Sequence, residues 1–263
     1  MASLGAHKSK LVLAAVILGS LLAWYWQHGS EKPPARGEQP AARQAAAPPT
    51  GASAKPAQAK FDFYLLAMSV HAAFCADGHQ QSAECRTPGQ WPLVIHGLWP
   101  ENLEPRSYPH DCPAPELALD PMLEQQLQEY MPGMAAGLHE YEWRKHGGCS
   151  GLDDDVYFSS ALGLARTVDG ALAARLTTLA GGEASPTELR DSADMFRPGV
   201  GATLTFHCRS MRGSGKRPVL FEVRQCVDND GAGGAPGTPL DCASLNRRDQ
   251  GCGNSFLVPG HGR

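Results

Sequence analysis

The stretch WPLVIHGLWPEN, residues 91–102, joins a strongly apolar run to a histidine, a glycine and a Trp-Pro pair. Residues 92–99 form a short apolar run, which predicts a buried strand. His96 stands at the end of this strand, where a lone histidine is more often a structural hydrogen-bonding group than a catalyst. Gly97 permits a sharp turn of the backbone. Trp99 puts a rigid aromatic ring close to the imidazole, as stacking of an unpaired nucleic-acid base would require.

The second informative stretch is HEYEWRKHGGC, residues 139–149. Successive helical residues are about 100° apart, so four of its side chains fall within about 140° and share one face of a helix. These four are Tyr141, Glu142, Lys145 and His146. Glu142 and His146 form an i, i+4 pair, and a carboxylate beside an imidazole raises the basicity of that imidazole. A lysine on the same face is able to stabilise an oxyanion.

A metal site does not fit the spacing of the histidines in this helix. A metalloprotease helix requires a second histidine four residues after the first, whereas the residue four after His139 is Trp143. His139 and His146 lie two turns, or about 10 Å, apart along the helix axis. We therefore expect no metal and no other cofactor. A charged face exposed to solvent remains the alternative for this helix taken alone.

Two histidines and a cation are the minimum for one reaction, the cleavage of RNA through its own 2′-hydroxyl group. One imidazole removes the 2′ proton, a second protonates the departing 5′ oxygen, and the cation stabilises charge on phosphorus. IHGLWP and EWRKHGGC together resemble the two active-site segments of the ribonuclease T2 family, HGLWP and HEWxKHGTC. FDFYLLAMSVHAAFC, from residue 61, resembles the first strand of that family's domain, and the likeness covers residues 60–258.

This resemblance implies a role for each matching residue. His96 would be the general acid of the cyclisation step and His146 its general base. Glu142 and Lys145 would polarise the phosphate and stabilise the transition state, while Trp99 would line a base pocket. The implied activity is endonucleolytic cleavage of single-stranded RNA with little base preference, through 2′,3′-cyclic phosphates to 3′-phosphates.

The sequence departs from the family pattern at Tyr141, where the family has a histidine that contacts the substrate phosphate. A tyrosine donates one neutral hydrogen bond and carries no positive charge. His139 points about 160° away from Tyr141 on the helix and is no substitute. We expect weaker phosphate binding or slower turnover, at a cost on the order of 1–3 kcal/mol. The rival prediction is a catalytically weak, ribonuclease-like module that binds RNA or another partner on a tether.

The pattern of elements predicts an α+β domain of ribonuclease T2 type, with a central antiparallel sheet, several helices and disulfides. Asp120 before one helix and Ser185 before another are predicted N-caps. The predicted helices are 120–130, about 134–145, 153–180 and 185–196. The predicted strands are 61–70, 92–99, 202–208 and 218–226. The remaining histidines of the domain are assigned structural or surface roles: His71, His79, His110, His207 and His261.

All eight cysteines lie after residue 59, and an even count behind an export signal predicts four disulfides formed in an oxidising compartment. No CxxC pair occurs, which argues against a zinc knuckle or a thioredoxin-like site. The family resemblance implies a Cys112–Cys149 pair, and proximity in sequence favours Cys75–Cys85. The remaining four cysteines are predicted to form a nested arrangement, Cys208–Cys252 and Cys226–Cys242.

The N-terminal 59 residues are predicted to lie outside the domain, which occupies residues 60–263. Residues 1–29 combine two lysines with an uncharged apolar run at 11–26, the layout of a signal peptide or of an inner-membrane anchor, and both remain open. Residues 30–59 are rich in Pro and Ala, which predicts a disordered linker. Either form of the N-terminus predicts a periplasmic or secreted protein, and we expect the domain to be a monomer.

The charge balance limits how nucleic acid could be bound. The chain has 23 Lys and Arg and 27 Asp and Glu, of which residues 60–263 hold 17 and 25, a net charge of −8. A protein that binds nucleic acid through a broad phosphate-binding surface is usually basic. RNA, the expected substrate, must therefore be bound at a local site.

Overall fold

The computed structural model of the protein describes residues 58–86, 92–104 and 107–260. The predicted signal or anchor at 1–29 and most of the predicted linker at 30–59 lie outside these residues. Both stay predictions, as do the predicted domain boundaries. Within the described ranges, no helix is both long enough and apolar enough to cross a membrane.

The described residues form one sheet and a set of helices. The strands are β1 (Phe63–Val70), β2 (Leu93–Glu101), β3 (Glu183–Ala184), β4 (Leu204–Ser210), β5 (Pro218–Val227) and β6 (Phe256–Leu257). The α-helices are α1 (His71–Ala76), α2 (Ala83–Arg86), α3 (Pro121–Tyr130), α4 (Leu138–Glu142), α5 (Gly148–Ser150), α6 (Asp154–Leu179) and α7 (Pro186–Phe196). Shorter turns are the 3₁₀ segments Pro132–Ala136, Gly201–Thr203 and Ala232–Gly234 and the π-helical turn Trp143–Gly147.

The sheet is antiparallel except for one pair of strands. Its order is β2-β1-β5-β6-β3, and β4 also pairs with β5. Strands β5 and β6 run parallel where Val219 pairs with Leu257. The predicted α+β class with a central sheet and several helices is confirmed, and the parallel pair makes the sheet mixed.

The two faces of strand β1 contribute to two different hydrophobic clusters. All eight of its residues are buried. Tyr64 and Leu66 belong to the large cluster shared with the helices, whereas Phe63 and Leu65 belong to a smaller cluster against which Trp99 packs. This division follows from the strand, since successive side chains point to opposite faces of a sheet.

A β-bulge in strand β2 falls at His96. Ile95 pairs with Met68 and Gly97 pairs with Ala67, so His96 is the extra residue without a partner on β1. A bulge redirects a side chain locally without ending the strand. An irregularity of a buried strand therefore sets the direction of the predicted catalytic histidine.

Two helices begin at the N-caps that the sequence predicts. Asp120 accepts hydrogen bonds from the backbone N–H groups of Met122 and Leu123 at the start of α3. Ser185 accepts one from the backbone N–H of Glu188 at the start of α7. Each cap satisfies backbone donors that have no partner within the first turn of a helix.

The helix that carries the second motif differs from the one predicted at 134–145. It consists of α4, the π-helical turn and α5, and we call these residues, 138–150, the site helix. Gly147 does not end it, since the helix continues into α5. The absence of a side chain at Gly147 instead makes room for the Trp143 ring, because a Cβ there would lie 2.1 Å from Cε3 of that ring. The site helix ends at Gly151, which has a φ of 71° that glycine adopts without strain.

The four predicted disulfides are confirmed: Cys75–Cys85, Cys112–Cys149, Cys208–Cys252 and Cys226–Cys242. The Cys112–Cys149 bond joins the site helix to the loop that precedes α3. This crosslink limits how far the loop is able to move from the helix.

Candidate active site

The structure brings the two sequence motifs together at one place. Strand β2 supplies two of the six predicted site residues and the site helix supplies four. These six are His96, Trp99, Tyr141, Glu142, Lys145 and His146. Trp99 contacts His96, Glu142 and His146, and a hydrogen bond joins Lys145 to Tyr141.

The indole of Trp99 is in contact with both predicted catalytic histidines. Its ring centroid is 5.2 Å from that of His96 and 5.5 Å from that of His146. Its Nε1–H group donates a hydrogen bond of 2.9 Å to Oε2 of Glu142. Trp99 thus connects strand β2 to the site helix and holds a buried carboxylate. Its predicted contact with a base stays a prediction.

Gly97 leaves the space in which Trp99 and Glu142 meet. A Cβ atom at residue 97 would lie 2.0 Å from Oε2 of Glu142 and 2.5 Å from Nε1 of Trp99. Both distances are shorter than real carbon contacts. The glycine of the first motif is therefore required by the close approach of the two partners.

The Gly97→Ala variant is expected to lower the free energy of unfolding by about 1–3 kcal/mol, because the added methyl group displaces a buried partner. Urea unfolding of the full chain measures this change. The matched control is Gly163→Ala in α6, where an added Cβ meets nothing within 4 Å and alanine favours the helix by about 1 kcal/mol. If Gly97→Ala were as stable as the wild type, the close approach would not constrain this position.

His96 lies between two buried carboxylates. Its Nδ1 is 2.8 Å from Oε1 of Glu222, and its Nε2 is 3.9 Å from Oε1 of Glu142. Burial lowers the pKa of this imidazole, but the two carboxylates outweigh burial and the charge of Arg224, so the net pKa is raised. The side chain is 37% exposed, which leaves the ring accessible to a substrate.

His146 has the opposite environment. It is 6% exposed, and its Nδ1 has no hydrogen-bond partner among the described residues. Burial is the main reason that its pKa is lowered to about 3, and the positive charges of Lys145 and His96 lower it further. The imidazole is therefore neutral over most of the pH range.

The predicted pairing of Glu142 with His146 is wrong, as is the raised basicity expected from it. The Glu142 carboxylate instead accepts a hydrogen bond from Trp99 and lies near His96. The 100° spacing that predicted the pair does not describe the π-helical turn, where residues wind more widely than in an α-helix. Burial raises the pKa of Glu142, although His96, the Trp99 hydrogen bond and the Lys145 charge oppose the shift.

Lys145 and Tyr141 form the exposed side of the site. Nζ of Lys145 donates a hydrogen bond of 2.8 Å to the hydroxyl oxygen of Tyr141, and this bond raises the pKa of Lys145. Tyr141 is 46% exposed. His139 lines a separate cavity beside Pro115 and Trp143, in agreement with the predicted direction of its side chain. The family's phosphate-contacting histidine, whose position Tyr141 occupies, therefore has no substitute among the described histidines of this helix.

The sequence analysis did not identify the side chains that contact Nδ1 of His96 and its partner, the buried Glu222. Glu222 and Arg224 lie on β5, and Arg224 donates to Oε2 of Glu222 from Nε at 2.9 Å and from Nη2 at 2.6 Å. His207, predicted to be structural or exposed, has its Nδ1 3.5 Å from the same oxygen. The signal was present in PVLFEVRQC, residues 218–226, because charged residues in a buried strand require partners.

A second missed residue is Tyr108, in the loop before Cys112. Its ring centroid is 6.0 Å from that of His146, with the planes inclined by 31°. Nothing in its sequence neighbourhood marked it, because the contact depends on how the disulfide-linked loop lies against the site helix.

Among the described residues, one group of three side chains has metal-binding atoms within 4.8 Å of one another: His71, Cys75 and Cys85. Cys75 and Cys85 form a disulfide, so their sulfur atoms are not thiolate ligands. The predicted site residues form no such group with other described side chains. The expected independence from metal stays a prediction.

The fold defines the class of protein. It is similar to a variant of RNase MC1 in complex with 5′-UMP, with a TM-score of 0.58, 25% identity, and coverage of 75% of this chain and 98% of the other. It is also similar to RNase NT in complex with 5′-AMP, with a TM-score of 0.57, 20% identity, and coverage of 76% and 98%. At this identity the second likeness shows the fold alone. The domain therefore has the fold of the T2 ribonucleases.

The chain belongs to the Ribonuclease T2 family, whose pattern matches residues 61–236. It is 35% identical over 108 residues to a ribonuclease of Aeromonas hydrophila, covering 41% of this chain and 46% of the relative. It is 30% identical over 158 residues to Ribonuclease I of Escherichia coli (strain K12), covering 44% and 59%. The chain thus spans about half the length of these relatives.

Proposed function

We propose that this protein is an endoribonuclease that cleaves single-stranded RNA through the 2′-hydroxyl group, with His146 as general base and His96 as general acid. The observation that carries the proposal is the contrast between these two imidazoles, which both contact the ring of Trp99. His146 has a pKa lowered to about 3, whereas the pKa of His96 is raised. Groups in one site whose pKa values are moved apart are suited to opposite roles in proton transfer.

The reaction has two steps. In the first, neutral His146 accepts the 2′ proton, the 2′ oxygen forms a bond to phosphorus, the bond to the 5′ oxygen breaks, and protonated His96 donates its proton to that oxygen. In the second, the oxygen of a water molecule forms a bond to the phosphorus of the 2′,3′-cyclic phosphate, and the bond between phosphorus and the 2′ oxygen breaks. His96 now accepts a proton from the water, and His146 returns its proton to the departing 2′ oxygen. The product is a 3′-phosphate.

The remaining predicted residues are suited to charge that develops on the phosphate. Lys145 supplies an exposed ammonium group, and the Tyr141 hydroxyl that accepts its hydrogen bond has its own proton to donate. Glu142 is buried with its Oε1 3.9 Å from Nε2 of His96, so its carboxylate favours the protonated ring that donates to the departing oxygen. Trp99 fixes this carboxyl group beside the reacting centre.

Two surfaces near the histidines are suited to bases. Tyr108 and Trp99 present rings beside His146, where a base would stack. His96 also lines a cavity of about 490 Å³, whose lining includes the apolar side chains of Phe74, Leu138 and Phe221. Stacking and apolar contact tolerate every base, since each base has an aromatic face. These surfaces support cleavage with little base preference.

We expect cleavage to be active over a wide acidic range. Activity requires neutral His146 and protonated His96, so kcat/KM should rise as the pH passes about 3 and fall only above 6.5, the ordinary pKa of an imidazole. Two unperturbed histidines would instead produce a narrow optimum near 6.5. Initial rates on a short RNA at constant ionic strength measure the profile. An acid limb near 6.5 would contradict the environment assigned to His146.

The Tyr141→His variant is expected to raise kcat/KM by about 5- to 150-fold, because a charge-assisted contact with phosphate contributes about 1–3 kcal/mol. The gain should be largest at pH values where the new imidazole is protonated, and it should decrease with added salt. Tyr141→Phe is the matched control and should be less active than the wild type. If the histidine variant showed no gain at any pH, Tyr141 would not limit phosphate binding.

The direct test is cleavage of a short single-stranded RNA by the full chain in excess EDTA. The expected products carry 2′,3′-cyclic phosphate ends, and DNA of the same sequence should stay intact because it lacks the attacking hydroxyl. Chelation should leave the rate unchanged. If the folded, oxidised protein left RNA uncut between about pH 4 and pH 8, the rival would stand instead, a tethered module that binds RNA without cleaving it.

We also propose that the protein is exported. The four disulfides support folding in an oxidising compartment, such as a periplasm or the extracellular space. Residues 11–26 are predicted either to be removed with a signal peptide or to be retained as a membrane anchor. Fractionation of cells and the mass of the mature N-terminus distinguish these two alternatives. The domain is expected to be a monomer, which sedimentation tests.

A further inference from the structure

Glu222 is a buried carboxylate with contacts on both oxygens. The residue is 4% exposed. Its Oε1 accepts a hydrogen bond from Nδ1 of His96 at 2.8 Å, and its Oε2 accepts the two from Arg224. His207 approaches the same Oε2 at 3.5 Å. Because three side chains converge on it, Glu222 has little freedom to move.

The sheet register explains how Glu222 reaches a histidine two strands away. Strand β1 lies between β2 and β5. On the face that carries Glu222, β1 presents Ser69 opposite Glu222 and Ala67 opposite Arg224. Both β1 residues have small side chains, so the bulged His96 is able to contact Glu222 across the intervening strand. Larger residues at these two positions would fill this space.

We propose that Glu222 is a positioning residue for His96: it holds Nδ1–H and thereby directs Nε2 toward the site helix and the departing 5′ oxygen. The direction of the ring supports this role, since Nε2 is the nitrogen that lies 3.9 Å from Oε1 of Glu142. With Nδ1 bound to a carboxylate, the proton available for transfer is the one on Nε2. The inference rests on the proposed function, in which His96 acts as the acid.

The charges around His96 support a protonated ring. Glu222 faces Nδ1 and Glu142 faces Nε2, and both favour the imidazolium form, while Arg224 opposes it. Burial raises the pKa of the Glu222 carboxyl, but its hydrogen bonds with His207 and His96 and the Arg224 charge together hold it far below its usual range. Glu222 therefore stays ionised wherever His96 titrates.

The Glu222→Gln variant tests the inference in the full chain. Glutamine keeps a hydrogen-bond acceptor but removes the charge, so the pKa of His96 should fall below its ordinary value as burial takes over. The alkaline limb of the pH–rate profile should move to lower pH, and kcat should fall between about 10-fold and 10⁴-fold, with KM little changed. Glu222→Asp should restore the position of the alkaline limb in part. Glu188→Gln, which neutralises the carboxylate paired with Arg175, is the matched control and should change neither.

Proton NMR titration of His96 separates this inference from the proposed function, because it requires no RNA. A His96 pKa that falls in Glu222→Gln supports the positioning role even if the wild type leaves RNA uncut. A variant that loses stability while the His96 titration and the alkaline limb stay in place would overturn the inference. Should Glu222→Gln fail to fold, the wild type decides: a His96 ring that titrates below 6.5 would overturn it.

Discussion

The His146→Ala variant is expected to cleave RNA about 10²- to 10⁴-fold more slowly than the wild type, the contribution usual for a positioned general base. The buried, neutral imidazole is the group in the site that is suited to accept the 2′ proton. Initial rates of cyclic-phosphate formation from a short RNA in EDTA measure the loss. The loss should persist at every pH, since alanine has no proton acceptor.

The control for this variant is His139→Ala, which removes an imidazole from the same helix. His139 faces a separate cavity, so its variant should cleave RNA at the wild-type rate. Thermal unfolding of both variants shows whether either loses structure. If His146→Ala retained full activity in a folded protein, the general base would lie elsewhere.

The His96→Ala variant should show a similar loss on RNA, about 10²- to 10⁴-fold, but a much smaller one on a substrate with a better leaving group. A uridine 3′-aryl phosphate that releases nitrophenolate needs no proton on the departing oxygen, because nitrophenolate is a far weaker base than the 5′ alkoxide. The general acid then has no task in the first step. His146→Ala should keep its full loss on the same ester, because the 2′ proton must still be removed.

The comparison of the two substrates therefore separates the acid from the base. The expected pattern is recovery for His96→Ala and no recovery for His146→Ala. The reverse pattern would exchange the two roles, and recovery of both would show that neither histidine is the base. Gly163→Ala again provides a folded control, because it adds a methyl group at an exposed helical position where a Cβ meets nothing within 4 Å.

Much of the fold follows from local signals. Asp120 and Ser185 are followed by proline and cap their helices as predicted, because these residues act within a few positions of themselves. The apolar runs at 61–70 and 218–226 form neighbouring central strands, since such runs are stable only when buried. The cysteine pairs were also predictable, two of them from proximity in sequence or from the family resemblance.

The membership of the site was predictable in part. His96, Trp99, Glu142 and His146 were identified because each stands in a short motif whose residue types suggest proton transfer. The pairing within the group was not. The sequence places Glu142 one helical turn from His146, but the π-helical turn and the indole of Trp99 direct the carboxylate elsewhere.

By itself, the sequence predicted the family, most of the elements, the disulfides and the residues proposed to carry the chemistry, because these depend on residue type and on spacing along the chain. Only the tertiary structure decided which carboxylates contact which imidazole. Glu222 is 126 residues from His96 and reaches it through sheet register and a bulge, neither of which leaves a local pattern. The opposite pKa shifts of His96 and His146 likewise arise from burial and long-range neighbours, which exist only once the chain has folded.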